Sequence, residues 1–141
     1  MTTYNELRCE NRAKINALPI KWAFSDEQFE RAMAELGLTV ADTDKVCTIG
    51  FCGGFCRKDD AERIRRTFAE TEQALEKALE DDEFCTDAIE FELANHEYLY
   101  TYDPDEALGA LGLDLKDERV RRLFHIAEKR YMKRAEEEGW L

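Results

Sequence analysis

Three thiols close together in the sequence, Cys47, Cys52 and Cys56, are the first residues whose type suggests chemistry, because with Cys85 they could supply four zinc ligands. Their spacing argues otherwise. Zinc knuckles typically pair cysteines as C-x2-C, whereas this chain reads C-x4-C-x3-C. In a hairpin, Cys47 and Cys52 would also point to opposite faces. The expectation is no metal and no cofactor, with the thiols serving as small buried or half-buried side chains. His96, within Asn95-His96-Glu97-Tyr98, is the second candidate. A general acid or base needs a nucleophile or carboxylate beside it, and the linear sequence identifies none. The expectation for His96 is a core histidine donating one hydrogen bond, with Tyr98 the neighbouring buried or functional polar group. His125 stands among Arg and Lys and reads as solvated surface. Paired carboxylates are plentiful, but none follows the calcium-loop pattern: Asp42-Thr43-Asp44 lacks the required glycine and distal Glu. Phosphate loops, nucleophile elbows and HExxH are absent. The sequence therefore points away from an enzyme.

Charge is the stronger signal. Residues 70–106 hold 14 acidic side chains against Lys77 alone, so this stretch accounts for the whole formal charge of -12. Glu72, Glu76, Glu80 and Glu83 are expected along one stripe of a helix, with Asp81 and Asp82 beside them. Carboxylates one helical turn apart, about 5–6 Å, approximate the spacing of phosphates along a nucleic-acid strand. Such a surface suits a basic protein partner and repels nucleic acid itself.

The elements that must carry these groups are mostly helical. Apolar residues make up 44% of the 141, enough to offset the ordering entropy of one domain spanning 1–141. A helix is expected over about 3–17, ended by Pro19. A second runs over about 26–36, where Ser25 caps, Gln28 returns the capping-box bond, and Phe24 and Phe29 form a hydrophobic staple. Leu36-Gly37-Leu38 closes it, and Leu111-Gly112-Leu113 closes a short helix that Asp103 and Pro104 open. Over 46–58, β-branched and aromatic residues flank Gly53-Gly54, the signature of a hairpin with a tight two-residue turn. Long helices follow over about 60–82, about 86–98 and about 115–137. The first carries Ala61, Ile64, Phe68, Leu75 and Leu79 on one stripe. The second is apolar on two faces and so expected to be central, with Ile89, Leu93 and Tyr100 on one side. The last buries Val120, Leu123, Phe124, Ala127 and Tyr131. Tyr98 to Tyr102 alternates as a strand would, which leaves that end open between helix and strand. The fold class expected is mainly helical α+β, five to six helices around one hairpin. No apolar run is long enough to span a membrane and no signal-peptide stretch stands at the N-terminus. With five cysteines, an odd number, the expected setting is cytoplasmic and reducing.

Ala17-Leu-Pro19 followed by Phe24 and Phe29, Ala34-Glu-Leu-Gly-Leu38, Gly53-Gly-Phe-x-Arg-Lys58, Glu92-Leu-x-Asn-His-Glu-Tyr98 and Ala107-Leu-x-Ala-Leu-Gly112 together resemble a family of small acidic uncharacterised proteins carried on phages and conjugative elements of gut Firmicutes. The resemblance covers nearly the whole chain. It implies no catalytic residues. It does imply a context, accessory genes of mobile elements, in which proteins often act against host defence. The cysteines on both sides of Gly53-Gly54 depart from that pattern.

The leading expectation is thus a non-enzymatic interaction module, of anti-CRISPR or anti-restriction type, whose acidic surface engages a basic nucleic-acid-processing or defence protein. A small enzyme or metal protein built on His96 and the hairpin cysteines is the alternative from a different class. A helix-turn-helix DNA binder, using residues 104–111 and the bases Arg119, Arg121, Arg122, Lys129 and Lys133, is a third.

Overall fold

Seven α-helices and one antiparallel hairpin form among the described residues, a mainly helical α+β fold as the sequence leads one to expect. The computed structural model describes residues 2–50 and 52–140. Met1, Leu141 and Phe51, the last an aromatic of the expected hairpin pattern, lie outside the described residues. The elements are α1 (Tyr4–Asn16), α2 (Asp26–Glu35), β1 (Val46–Ile49), β2 (Gly54–Arg57), α3 (Ala61–Ala78), α4 (Asp82–Asn95), α5 (Tyr98–Thr101), α6 (Asp105–Ala110) and α7 (Glu118–Glu137).

Side-chain caps set the helix starts. Thr3 and Glu6 exchange bonds at α1, with Glu6 N donating to Thr3 Oγ1 at 3.2 Å and Thr3 N to Glu6 Oε2 at 3.3 Å. Asp81 accepts from Phe84 N at 2.8 Å at α4, and Asp117 accepts from Arg119 N at 2.8 Å at α7. Both Leu-Gly-Leu endings close as expected, with Leu38 N donating to Met33 O at 2.8 Å and Leu113 N to Leu108 O at 2.9 Å.

The chain falls into two compact units, residues 11–71 and residues 1–10 with 72–141. In the first, β1 pairs with β2, and Lys21 adds a further bridge through its backbone exchange with Phe55. Ile20, Ile49, Cys56 and Ile64 form one buried cluster; Met33, Leu36 and Leu38 form another, edged by Phe29 and Phe55 at 5.5 Å between ring centroids. The hairpin turn is longer than its glycines suggest. Ile49 pairs with Gly54, so the connection is residues 50–53, with Gly53 at φ 75° and Gly54 inside the strand. A Cβ at Gly54 would stand 2.7 Å from Ile20 Cγ2 and 3.0 Å from Lys21 O, so this glycine is what lets the Lys21 segment approach β2. The staple at α2 does not form either. Phe24 is 88% exposed, and Gln28 Oε1 accepts from Phe24 N at 2.8 Å, although Ser25 Oγ does cap Gln28 N.

In the second unit, α4 is the central helix, packed on α7 and on α6. Its buried Phe84, Cys85, Ala88, Ile89 and Leu93 meet the stripe Val120, Leu123, Phe124, Ala127 and Tyr131 of α7, every member of which is buried. Two expectations are corrected. The helix expected from 60 to 82 ends at Ala78, because the turn at 79–81 and the Asp81 cap start α4 four residues before the expected 86. The Tyr98–Tyr102 segment is a single helical turn, α5, bounded by Glu97 and Tyr102 at φ 53°; it leaves Tyr100 79% exposed rather than beside Ile89 and Leu93. No helix among the described residues is long and apolar enough to cross a membrane.

Candidate functional site

Charge divides sharply between the units. Residues 11–71 hold ten acidic and ten basic side chains, whereas residues 1–10 and 72–141 hold twenty-two acidic and ten basic ones, so the second unit carries all of the -12. Within that unit the six acids singled out from sequence divide again. The break after Ala78 means that Glu72 and Glu76 lie one turn apart on α3, Glu80 and Asp81 lie in the turn, and Asp82 and Glu83 open α4. Asp81 is used as the α4 cap. Asp82 receives Arg119 Nε at 2.8 Å and Arg122 Nη2 at 3.3 Å; these hydrogen bonds hold its carboxyl below the usual range. Glu83 receives Arg130 Nη1 at 3.0 Å, and the same guanidinium reaches Asp87 at 3.3 Å. Asp87 is nevertheless pushed up, chiefly by burial and then by the neighbouring Glu83 charge. Glu72, Glu76 and Glu80 are exposed and form no ion pair among the described residues.

Arg119 does more than neutralise Asp82. Its Nη2 also donates to Leu79 O at 2.8 Å and Glu80 O at 2.9 Å, carbonyls just beyond the end of α3 that have no continuing helix to receive them. The bases of α7 that a DNA-binding face would use are thus partly committed inside the unit: Arg119 and Arg122 bind Asp82, as Arg130 binds Glu83.

His96 and Tyr98 belong to separate arrangements. His96 is half-buried between two carboxylates, its Nε2 3.2 Å from Glu92 Oε2 and its Nδ1 3.4 Å from Glu106 Oε2. Glu92, only 3% exposed, also accepts Tyr4 O–H at 2.6 Å and Asn95 Nδ2 at 3.2 Å. The Tyr4 phenol is held well above its ordinary value by burial and by the Glu92 hydrogen bond. A histidine oriented by a carboxylate is the geometry of a general base, yet no hydroxyl or thiol among the described residues is hydrogen-bonded to it. What the network does is tie α1 to α4 through Tyr4 and Glu92, and the end of α4 to α6 through His96 and the exposed Glu106. Sequence reading passed over Glu92 as a centre, although a signal existed: a carboxylate on the apolar rows of α4 that carry Ala88, Ile89 and Leu93 must find partners. Tyr98 is buried beside Phe124 and Tyr131, with ring centroids 6.2 and 6.1 Å away, and donates its O–H to the Glu128 carboxylate.

Cys85 is buried in α4, whereas Cys47, Cys52 and Cys56 belong to the hairpin of the other unit. No group of three or more His, Cys, Asp or Glu side chains among the described residues is arranged to hold a metal ion. Cys52 lies in the turn, and the thiols that do meet are Cys47 and Cys56, 3.8 Å apart. A cleft of about 550 Å³ in the acidic unit is lined by Tyr4, Asp87, Glu90, Phe91, Arg134 and Trp140 among others, with the Arg134 guanidinium 5.5 Å from the Trp140 ring centroid.

The profile of a family of unknown function, DUF7659, matches residues 3–130, which takes in both units and α7 as far as Arg130. The chain belongs to that family. The DUF7659 match leaves residues 131–141 outside it, Arg134 and Trp140 of the cleft included. No curated protein and no solved structure matches the chain.

Proposed function

We propose that this chain is a non-enzymatic, cytoplasmic interaction module that binds a basic protein through the exposed acids Glu72, Glu76 and Glu80. The observation that carries this reading is selective neutralisation. The acidic unit has ten bases, and three of its arginines are spent on Asp82, Glu83 and Asp87, while Glu72, Glu76 and Glu80 are exposed and form no ion pair among the described residues. Like charges one turn apart on a helix destabilise it by about 0.2–0.5 kcal/mol per pair. Glu72 and Glu76 bear that cost with no compensating ion pair among the described residues. The cleft beside Asp87 and Glu90 adds aromatic walls against which a lysine or arginine stem of the partner can lie. A partner with a basic nucleic-acid-binding groove, a processing or defence enzyme, would lose access to its own polyanion; in this form the module acts as an inhibitor of anti-CRISPR or anti-restriction type carried by a mobile element.

The test is capture from a host lysate by the wild-type chain and by Glu72→Gln/Glu76→Gln/Glu80→Gln, washed across a salt series. The triple variant should release the partner at lower salt than wild type, because fewer charges hold it. Equal retention of the same partner at every salt concentration refutes the reading.

A further inference from the structure

The hairpin holds a feature that the acidic surface does not use. Strand register sets Cys47 directly opposite Cys56, and their Sγ atoms lie 3.8 Å apart. Opposed residues of an antiparallel ladder have Cα atoms about 4.5 or about 5.5 Å apart, both inside the span that a disulfide bridges. Bond formation therefore asks for side-chain rotation and a small strand adjustment, with no change of register. The two thiols differ in access: Cys47 is half-buried, whereas Cys56 is 0% exposed in the cluster of Ile20, Ile49 and Ile64. Cys52, in the turn, is half-buried and packs against the same cluster.

We propose that Cys47 and Cys56 are a peroxide-oxidisable dithiol, in which Cys47 is oxidised first and Cys56 closes an intramolecular disulfide across β1 and β2. In the first step the Cys47 sulfur attacks the O–O bond of hydrogen peroxide, gains a hydroxyl as sulfenic acid and gives up its proton, and one water leaves. In the second the Cys56 sulfur attacks the Cys47 sulfur; the S–O bond breaks and hydroxide departs with the Cys56 proton as a second water. Two thiols lose two electrons and the peroxide gains them. Burial, followed by the Cys47 hydrogen bond, pushes the Cys56 thiol up to about 11, which keeps it protonated and slow toward peroxide itself and agrees with the order of steps. A thiol reductant reverses the bridge.

The experiment treats the full chain with hydrogen peroxide near neutral pH, blocks remaining thiols under denaturing conditions and maps the peptides. Trypsin alone leaves all three hairpin cysteines on the peptide 46–57, so chymotrypsin is added to cut after Phe51 and Phe55 and separate them. Exposed Cys9 serves as internal control for oxidant delivery. The expected result is a Cys47–Cys56 cross-link, lost on reduction and retained in Cys52→Ser. In Cys56→Ala, dimedone should mark Cys47. Free Cys47 and Cys56 after Cys9 has been oxidised, or a bridge to Cys52 or Cys9 in their place, overturns the proposal. A dimedone adduct on Cys52 and not on Cys47 overturns the order of steps. Should Cys56→Ala fail to fold, the wild-type map decides alone.

Discussion

Replacing Tyr4 by Phe tests whether the buried Glu92 is the joint that holds the acidic unit together. The ring would stay, keeping its edge-on contacts with Phe84 and Phe91 at centroid distances of 6.1 and 5.3 Å, and only the O–H that donates to Glu92 at 2.6 Å would go. A hydrogen bond to a charged acceptor contributes about 1.5–3 kcal/mol, and the loss is felt fully when the acceptor stays buried. Glu92 is 3% exposed and would retain Asn95 and His96 at 3.2 Å each, so a loss of about 1.5–2.5 kcal/mol is expected. At about 2–4 °C per kcal/mol, the midpoint of thermal unfolding should fall by about 3–10 °C. The pH dependence sharpens the test. Tyr4 has its phenol pKa raised on folding from an ordinary value of 10.0, so its contribution is complete below pH 10.0 and declines as the unfolded chain begins to ionise above it. Tyr4→Phe has no such group at position 4, so the gap between wild type and variant should narrow as pH rises past 10. Circular-dichroism melts at neutral pH and on the alkaline side supply both readings. A neutral-pH loss below about 0.5 kcal/mol, the scatter of ordinary surface substitutions, or a gap that stays constant into alkali, would refute the reasoning.

Two other perturbations follow from the same geometry. Arg119→Ala removes the donor to the Leu79 and Glu80 carbonyls and should cost about 1–3 kcal/mol; Arg122→Ala, which loses only an exposed contact to Asp82, should change unfolding little. Equal denaturant midpoints for the two variants would contradict the assignment of Arg119 to the end of α3. Gly54→Ala drives a methyl group to 2.7 Å from Ile20 Cγ2 and should destabilise by about 1–3 kcal/mol, whereas Gly109→Ala, with open space around it in α6, should be neutral or stabilising by up to about 1 kcal/mol; differential scanning calorimetry separates the pair.

The α7 stripe was legible because its apolar spacing is clean, with Val120, Leu123, Phe124, Ala127 and Tyr131 all on one face. The hairpin was legible too, but its turn was not, since Gly53-Gly54 satisfies the local signature of a two-residue turn and only the distant Ile20 and Trp22 show that the second glycine is needed for clearance. The α3–α4 break was hidden for a different reason. Asp81 is a proper cap, but in the run Glu80-Asp81-Asp82-Glu83 nothing local distinguishes the carboxylate that binds Phe84 N from those that meet Arg119 and Arg130. That loss of contrast also misplaced Glu83, read on a stripe with Glu72 although it belongs to the next helix. Glu92 could have been found from its position on an apolar face; its partner Tyr4 could not, being 88 residues away.

The uneven distribution of charge also gives the experimenter a handle. With ten acids balanced by ten bases in residues 11–71 and the excess confined to the rest of the chain, a positively charged resin or amine-coated sensor will take hold of this protein by one unit in preference to the other. On such a cationic surface the carboxylates of residues 1–10 and 72–141 are already engaged, so a basic partner would compete with the support itself, and its binding is better measured with the chain free in solution.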